Sequence, residues 1–191
     1  MKRTLLLLAV VCITNLTFAQ DKAKEANVVD YFGIDYSLAK VEGALESPSQ
    51  FKSAFYSING LVLNEYPKFN VAKYLNKESV NPTIDFVQTR NIAINETAII
   101  TTKTEYRLTD AQVDSLVSTI DVSGSKNEVG VVFIAELYSK TLIQGFYRVV
   151  YFDTATKKII KSTKVSGKPA GFGVRNFWAA SFLAALKQSS N

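Results

Sequence analysis

Histidine is missing from this 191-residue chain, and cysteine and methionine occur once each, as Cys12 and Met1. Both single residues fall in the first nineteen positions, so everything after Ala19 lacks all three types. That set excludes a Ser-His-Asp triad, a cysteine nucleophile, a histidine general base and any zinc site of the common His/Cys kind. Carboxylates, Lys, Tyr, Ser and Thr are what remains for chemistry. Disulfides are excluded as well; a chain of this length buries ~70% of its unfolded surface and is stable by packing alone. Long apolar runs are also lacking: after the N-terminal run the longest is Phe177 to Leu186, well short of the ~20 residues a membrane-spanning helix needs.

What is present at the N-terminus is Lys2 and Arg3, an apolar run from Leu5 to Ile13, and Thr17-Phe18-Ala19 before Gln20. This is the anatomy of a secretory signal peptide over residues 1–19, cleaved after Ala19. The expected product is a soluble exported protein, periplasmic or extracellular. Lipid attachment at Cys12 is disfavoured, because Val10-Val11 puts no small residue before it and it sits inside the apolar run. Residues 20–27 are polar and expected to be mobile. Residues 28–191 read as one domain, without internal repeat, linker or low-complexity tract.

The net charge of +5 hides a segregation. Residues 20–139 carry 11 basic and 16 acidic side chains, whereas residues 140–191 carry nine basic and a single acid, Asp153. Two readings of this basic third stay open. It is attracted to an anionic envelope surface or an acidic partner, or it is a solvated edge hairpin whose Lys side chains block edge-to-edge pairing.

Periodicity supplies the elements. Phe32, Ile34, Tyr36 and Leu38 alternate through a strand over Val29 to Val41. Ser47-Pro48-Ser49-Gln50 is a capping box with Pro at the first helical position, and Phe51, Phe55, Ile58 and Val62 follow as one apolar stripe. Phe69 to Leu75 suggests a short second helix. Thr83 to Thr89 alternates as a strand, and Ala98-Ile99-Ile100 marks another apolar pulse; one or both join the sheet. Thr109-Asp110-Ala111-Gln112 repeats the capping box ahead of Val113, Leu116, Val117 and Ile120. Three apolar segments then follow, Val129 to Tyr138, Leu142 to Phe152 and Ile159 to Val165, the last two joined by the turn Asp153 to Lys157. Val174 to Lys187 is a helix apolar around most of its circumference. The fold class is α/β: one mixed sheet of about five strands, helices on both faces, and a C-terminal antiparallel meander plus terminal helix.

Helix, buried strand, hairpin and terminal helix run in this order from Thr109 to Lys187, with the hairpin written Phe146-Tyr147-Arg148-Val149-Val150-Tyr151-Phe152 and Lys157-Lys158-Ile159-Ile160 about its turn. This stretch resembles the small α/β domains of bacterial envelope proteins: the TolB amino-terminal domain, the curli-secretion lipoproteins and the lipoprotein activators of penicillin-binding proteins. The resemblance implies an envelope accessory role through protein contacts rather than catalysis. It departs from the lipoprotein members in the setting of Cys12.

Candidate sites are few. Gly167 to Gly173 opens a helix with Lys168 and Arg175 nearby, and with Lys164 these form a candidate anion site, although neither a dinucleotide nor a phosphate-loop fingerprint is present. Phe172, Phe177, Trp178 and Phe182 are candidate partner contacts if they share an exposed patch. Thr154, in Asp153-Thr154-Ala155, is a candidate O-glycan acceptor at a hairpin tip. No pair of carboxylates stands out for hydrolysis, and neither cofactor nor metal nor nucleic acid is expected. The primary expectation is a non-catalytic exported interaction protein whose partner is another envelope protein or an anionic surface. A small-molecule or lipid binder with an aromatic pocket comes next, and a carboxylate-based hydrolase after it.

Overall fold

Residues 22–189 are described by a computed structural model. The expected signal sequence, its expected cleavage site and Cys12 lie outside these residues. In chain order the elements are β1 (Val28–Asp35), β2 (Lys40–Glu42), α1 (Pro48–Asn64), α2 (Val71–Tyr74), β3 (Ser79–Pro82), α3 (Asp85–Ile92), a 3-10 turn (Glu96–Ala98), β4 (Ile100–Thr101), α4 (Asp110–Ser118), β5 (Val129–Ser139), β6 (Gln144–Asp153), β7 (Ile159–Gly167) and α5 (Val174–Gln188).

The sheet is organised around β5, which is buried along its whole length. On one side β1 runs parallel to its first half, with Asp30 opposite Gly130, and β2 runs parallel to its second half, with Lys40 opposite Leu137. β1 and β2 are therefore one interrupted row, flanked further out by β3 and β4. On the other side β6 and β7 follow as antiparallel neighbours. The seven strands described occupy five rows of a mixed sheet.

Both capping boxes form, Ser47 with Gln50 at α1 and Thr109 with Gln112 at α4. α1 and α5 cover one face, where Phe51, Phe55, Ile58, Trp178 and Phe182 pack with Tyr31, Ile34, Phe133, Tyr138 and Tyr147. α4, with Val87 of α3, covers the other, against Phe32, Val132, Ile134, Val150 and Phe152. Each of these side chains, removed from water, contributes about 1.5–3 kcal/mol.

Three segments differ from the sequence reading. The stretch Thr83 to Thr89, expected as a strand, belongs mostly to α3; the strand is β3, just before it. The alternation of Ile84 and Phe86 yields to the helical pair Val87 and Asn91, which are the buried residues of α3. The pulse at Ala98 to Ile100 gives a 3-10 turn and only a two-residue strand. Residues 22–25, expected within a mobile segment, form a helical turn with Ala23 buried and Lys22 paired to Asp153 and Glu128.

The interruption after Gly33 matters for what the sheet exposes. Gly33 has φ +84, a conformation L side chains rarely adopt, and a Cβ there would lie 2.8 Å from Asn59 Oδ1. The pairing with β5 shifts register at this point. Asn59 of α1 accepts from the Ile34 N–H and donates to the Ile34 carbonyl, both at 2.8 Å. Asn91 of α3 accepts from the Tyr36 N–H and donates to the same carbonyl, also at 2.8 Å. Two buried amides thus stand in for a neighbouring strand between β3 and β4. Without them, buried N–H groups would be unsatisfied.

Candidate functional site

The β6–β7 hairpin is where the basic third of the chain becomes a surface. Its turn is fixed by the Asp153 carboxylate, which accepts from the Thr156 N–H at 2.8 Å, while the Lys157 N–H donates to the Asp153 carbonyl at 2.7 Å. Lys22 reaches across to the same carboxylate at 2.7 Å. That bond, with those from Thr156, pulls the Asp153 pKa down to about 2.

Beyond the turn, Lys158, Lys161, Lys164 and Lys168 are exposed. All four residues from Lys161 to Lys164 are open to solvent, although β7 is a nine-residue strand. Val149 and Val150 of β6 are buried opposite Thr163 and Ser162, so the core ends at β6 over this stretch. Neither these lysines nor Lys157 makes an ion pair within 4 Å among the described residues. Their field is felt nearby: burial pushes the Lys77 ammonium below its usual range, and Lys161 pushes it further the same way. The two ends of the open stretch are defined. At one, the β6–β7 register shifts between Tyr151 and Phe152. At the other, Gln188 of α5 accepts from the Ser166 N–H at 2.8 Å.

α5 sits tightly over that second end. A Cβ on Gly167 would meet the Ser181 carbonyl oxygen at 1.8 Å, so only glycine allows the helix backbone to approach. The Ser181 hydroxyl donates to the Gly167 carbonyl at 2.7 Å and accepts from the Tyr147 hydroxyl at 3.1 Å.

Beside Lys164 lies an open cleft of about 220 Å³ lined by Arg107, Glu136, Phe146, Ser166 and Gln188 among others. Arg107 stacks over the Phe146 ring at 3.5 Å, and burial lowers its pKa. Glu136 and Arg148 are buried neighbours: Arg148 Nε donates to Glu136 Oε1 at 2.9 Å. Arg148 also holds the Asp110 carboxylate and the Leu108 carbonyl, while the Leu108 N–H donates to Glu136. The network pins the start of α4 to the sheet. Asp110 falls below the usual carboxylate range because of its hydrogen bond to Arg148.

The residues singled out from sequence are dispersed. Lys164 lines the cleft just described, whereas Arg175 lines another of about 370 Å³ with Ser49, Gln50, Ser53, Ala54, Ser57 and Val174. Lys168 lines neither, and the two clefts share no residue. Trp178 and Phe182 are fully buried; Trp178 stacks on Tyr138 at 4.4 Å, and Phe182 meets Phe133 edge-on at 5.0 Å. The expected aromatic patch is thereby corrected to Phe172, 95% exposed, and a half-buried Phe177 under the Lys140 ammonium. A helix lying between β7, α1 and the sheet has few directions left for solvent. Thr154 is corrected too: it is buried, and its hydroxyl donates to the Asn127 carbonyl at 2.8 Å, so it is not a free acceptor.

Sequence reasoning passed over Glu136 and Arg148, yet each is a lone charge in an apolar run, and the two runs are consecutive strands. That juxtaposition was the available signal. Asn59, Asn91 and the buried Asp30, which accepts from Lys126, Asn127 and Asn81, gave none. Among the described residues no group of three potential metal ligands occurs, and no helix is long and apolar enough to cross a membrane.

No family model and no curated protein matches the chain. Among solved structures, the C-terminal domain of LpoB from Salmonella enterica is similar at a TM-score of 0.33 and 9% identity, covering 78% of this chain and 93% of that one.

Proposed function

We propose that this chain is a non-catalytic exported accessory protein of the cell envelope that works by binding an acidic partner through the β6–β7 hairpin. The observation that supports it is the row Lys157, Lys158, Lys161, Lys164 and Lys168, left without ion pairs at one margin of the sheet. Asp110 feels the field of Lys164 and Asp121 that of Lys157, but neither closes an ion pair with them, and a margin with cations in excess attracts and orients an oppositely charged surface.

The test is retention of the full chain on polyglutamate and polylysine surfaces across a salt series. Salt-sensitive retention on polyglutamate alone is expected, and Lys161→Glu with Lys164→Glu abolishes it. Retention unaffected by the double substitution would remove the hairpin from the account. A second reading, a small-molecule binder, draws on the hydroxyls of Tyr31, Tyr36 and Tyr138 and the Trp178 indole N–H, which are buried without a hydrogen-bond partner. Native mass spectrometry of protein purified from its own cells tests it: a stoichiometric added mass supports a ligand, and the bare mass dismisses one.

A further inference from the structure

We propose that the outer edge of β7 is a strand-addition site, which an acidic, extended segment of a partner protein joins as a further row of the sheet. This rests on the interaction reading above and specifies how the partner is held.

Backbone groups along a strand point alternately to its two sides. The Ser166 N–H, bound by Gln188, points away from β6. The N–H and C=O groups of Lys164 and Ser162 therefore share that outer side, and no described strand pairs with them. The register shift near Phe152 closes the open stretch at one end and Gln188 closes it at the other. Room remains for a short strand of about five residues.

The side chains along this edge select the occupant. Lys161 lies opposite Tyr151 on the face of α1 and α5, and Lys164 lies opposite Arg148 on the face of α4. An added strand thus meets a cation above the sheet and another below it. A second copy of β7 would set these lysines against their own counterparts, and like charges placed opposite destabilise a pair. A segment with Asp or Glu three residues apart, one on each face of the added strand, reverses that sign. Main-chain bonds then supply affinity, and the lysines supply selectivity. At the Lys164 end, Arg107 in the adjoining cleft adds a third cation.

The experiment is fluorescence anisotropy of the full chain with four probes. These are a labelled hexapeptide Val-Glu-Val-Val-Glu-Val, the same peptide N-methylated at every residue so that neither of its edges can donate, its Lys-for-Glu counterpart, and vesicles of phosphatidylglycerol with phosphatidylcholine. The parent hexapeptide is expected to bind and the Lys peptide not to bind. N-methylation weakens binding about tenfold, as expected for the loss of one or two main-chain bonds. Ser162→Pro removes one outward N–H while leaving the bonds to β6, since proline is tolerated on the open side of an edge strand; it weakens the parent peptide to a similar degree. If that variant misfolds, the N-methylated peptide on the unaltered protein still decides. Equal binding of methylated and unmethylated peptides overturns strand addition and leaves a charge-only contact. Binding to the vesicles but to neither acidic peptide overturns the inference and gives the basic margin to lipid. Binding to no anionic probe overturns both this inference and the function proposed above.

Discussion

On one side of β5, the row formed by β1 and β2 is sealed. Where β3 ends and before β4 begins, Asn59 and Asn91 take up the backbone groups of Ile34 and Tyr36, and both amides are buried beneath helices. On the other side, β7 presents its outer backbone groups beside exposed lysines, with the Ser166 N–H alone covered among the described residues. One sheet therefore contains two treatments of the same problem, an unpaired strand edge. The sealed side spends helices and buried amides on becoming interior; the open side depends on charge and stays accessible. A fold that needed only stability had the first solution at hand, so its absence at β7 is where a function is to be sought.

The two treatments predict different costs of mutation. The largest cost falls not on the sealed row but at the buried ion pair that joins β5 to β6, beside the open edge. Arg148→Met leaves Glu136, 1% exposed, without its counter-charge, and breaking such a pair from one side costs about 3–5 kcal/mol. Urea denaturation measures this; a loss below ~1 kcal/mol would mean that Arg107, which lines the same cleft, takes over as the partner of Glu136.

Asn59→Ala comes next. It strips the Ile34 N–H of its partner inside the core, at a cost of about 1–3 kcal/mol. Hydrogen exchange at Ile34 is expected to accelerate while exchange along β6 stays slow. Asn91→Ala should do the same at Tyr36, and because both amides bond the Ile34 carbonyl, the double variant is expected to be non-additive. Unchanged exchange at Ile34 would show that the amide is not what closes that gap.

A smaller effect ties the hairpin to the rest of the molecule. Asp153 has its folded pKa lowered from 3.8 to about 2, chiefly by Lys22. The unfolded carboxylate binds its proton first as pH falls, so the bond stabilises the fold fully above 3.8 and is lost as pH drops from there to about 2. Lys22 is 37% exposed, so solvent screening holds the contribution to under ~1 kcal/mol. Asp153→Asn is expected to lose that contribution at neutral pH, to flatten the acid limb of the stability curve between 3.8 and about 2, and to match the parent below it. An unaltered acid limb would show that the turn is held by Thr156 alone.

How much of this was readable from sequence differs between the two sides. The basic hairpin was, because charge and strand periodicity are both local: Asp153 to Lys157 marks the turn, and the lysines after it have no acids among them. The helix starts at Ser47 and Thr109 were readable for the same reason. The sealed side was not. Asn59 and Asn91 are polar residues on helices, which ordinarily face water, and nothing near them in the chain reveals that Ile34 will need them. α3 was misread because alternation over Ile84 and Phe86 is too short to distinguish a strand from a helix whose buried residues are Val87 and Asn91. Trp178 and Phe182 looked like a contact surface because a helix apolar all round is compatible with either burial or docking. The close approach allowed by Gly167 decides for burial, and that is a tertiary fact.

The mildest substitutions separate stability from guarding at the open edge. Lys161→Ala with Lys164→Ala touches no hydrogen bond or ion pair among the described residues, so folding stability should change by no more than ~0.5 kcal/mol. Guarding is a different property. Two β7 edges repel while each carries cations above and below the sheet; with alanines there, the outward groups of Ser162 and Lys164→Ala remain free to pair and the repulsion is gone. Sedimentation velocity over a concentration series is expected to show the double variant associating where the parent does not, with unfolding midpoints that coincide. If the variant stays as dispersed as the parent, the edge is guarded by its geometry, the register shift at one end and Gln188 at the other, and the lysines are free to serve a partner alone. If it associates, the same charges do both: they keep identical edges apart and leave the edge open to a strand of opposite sign.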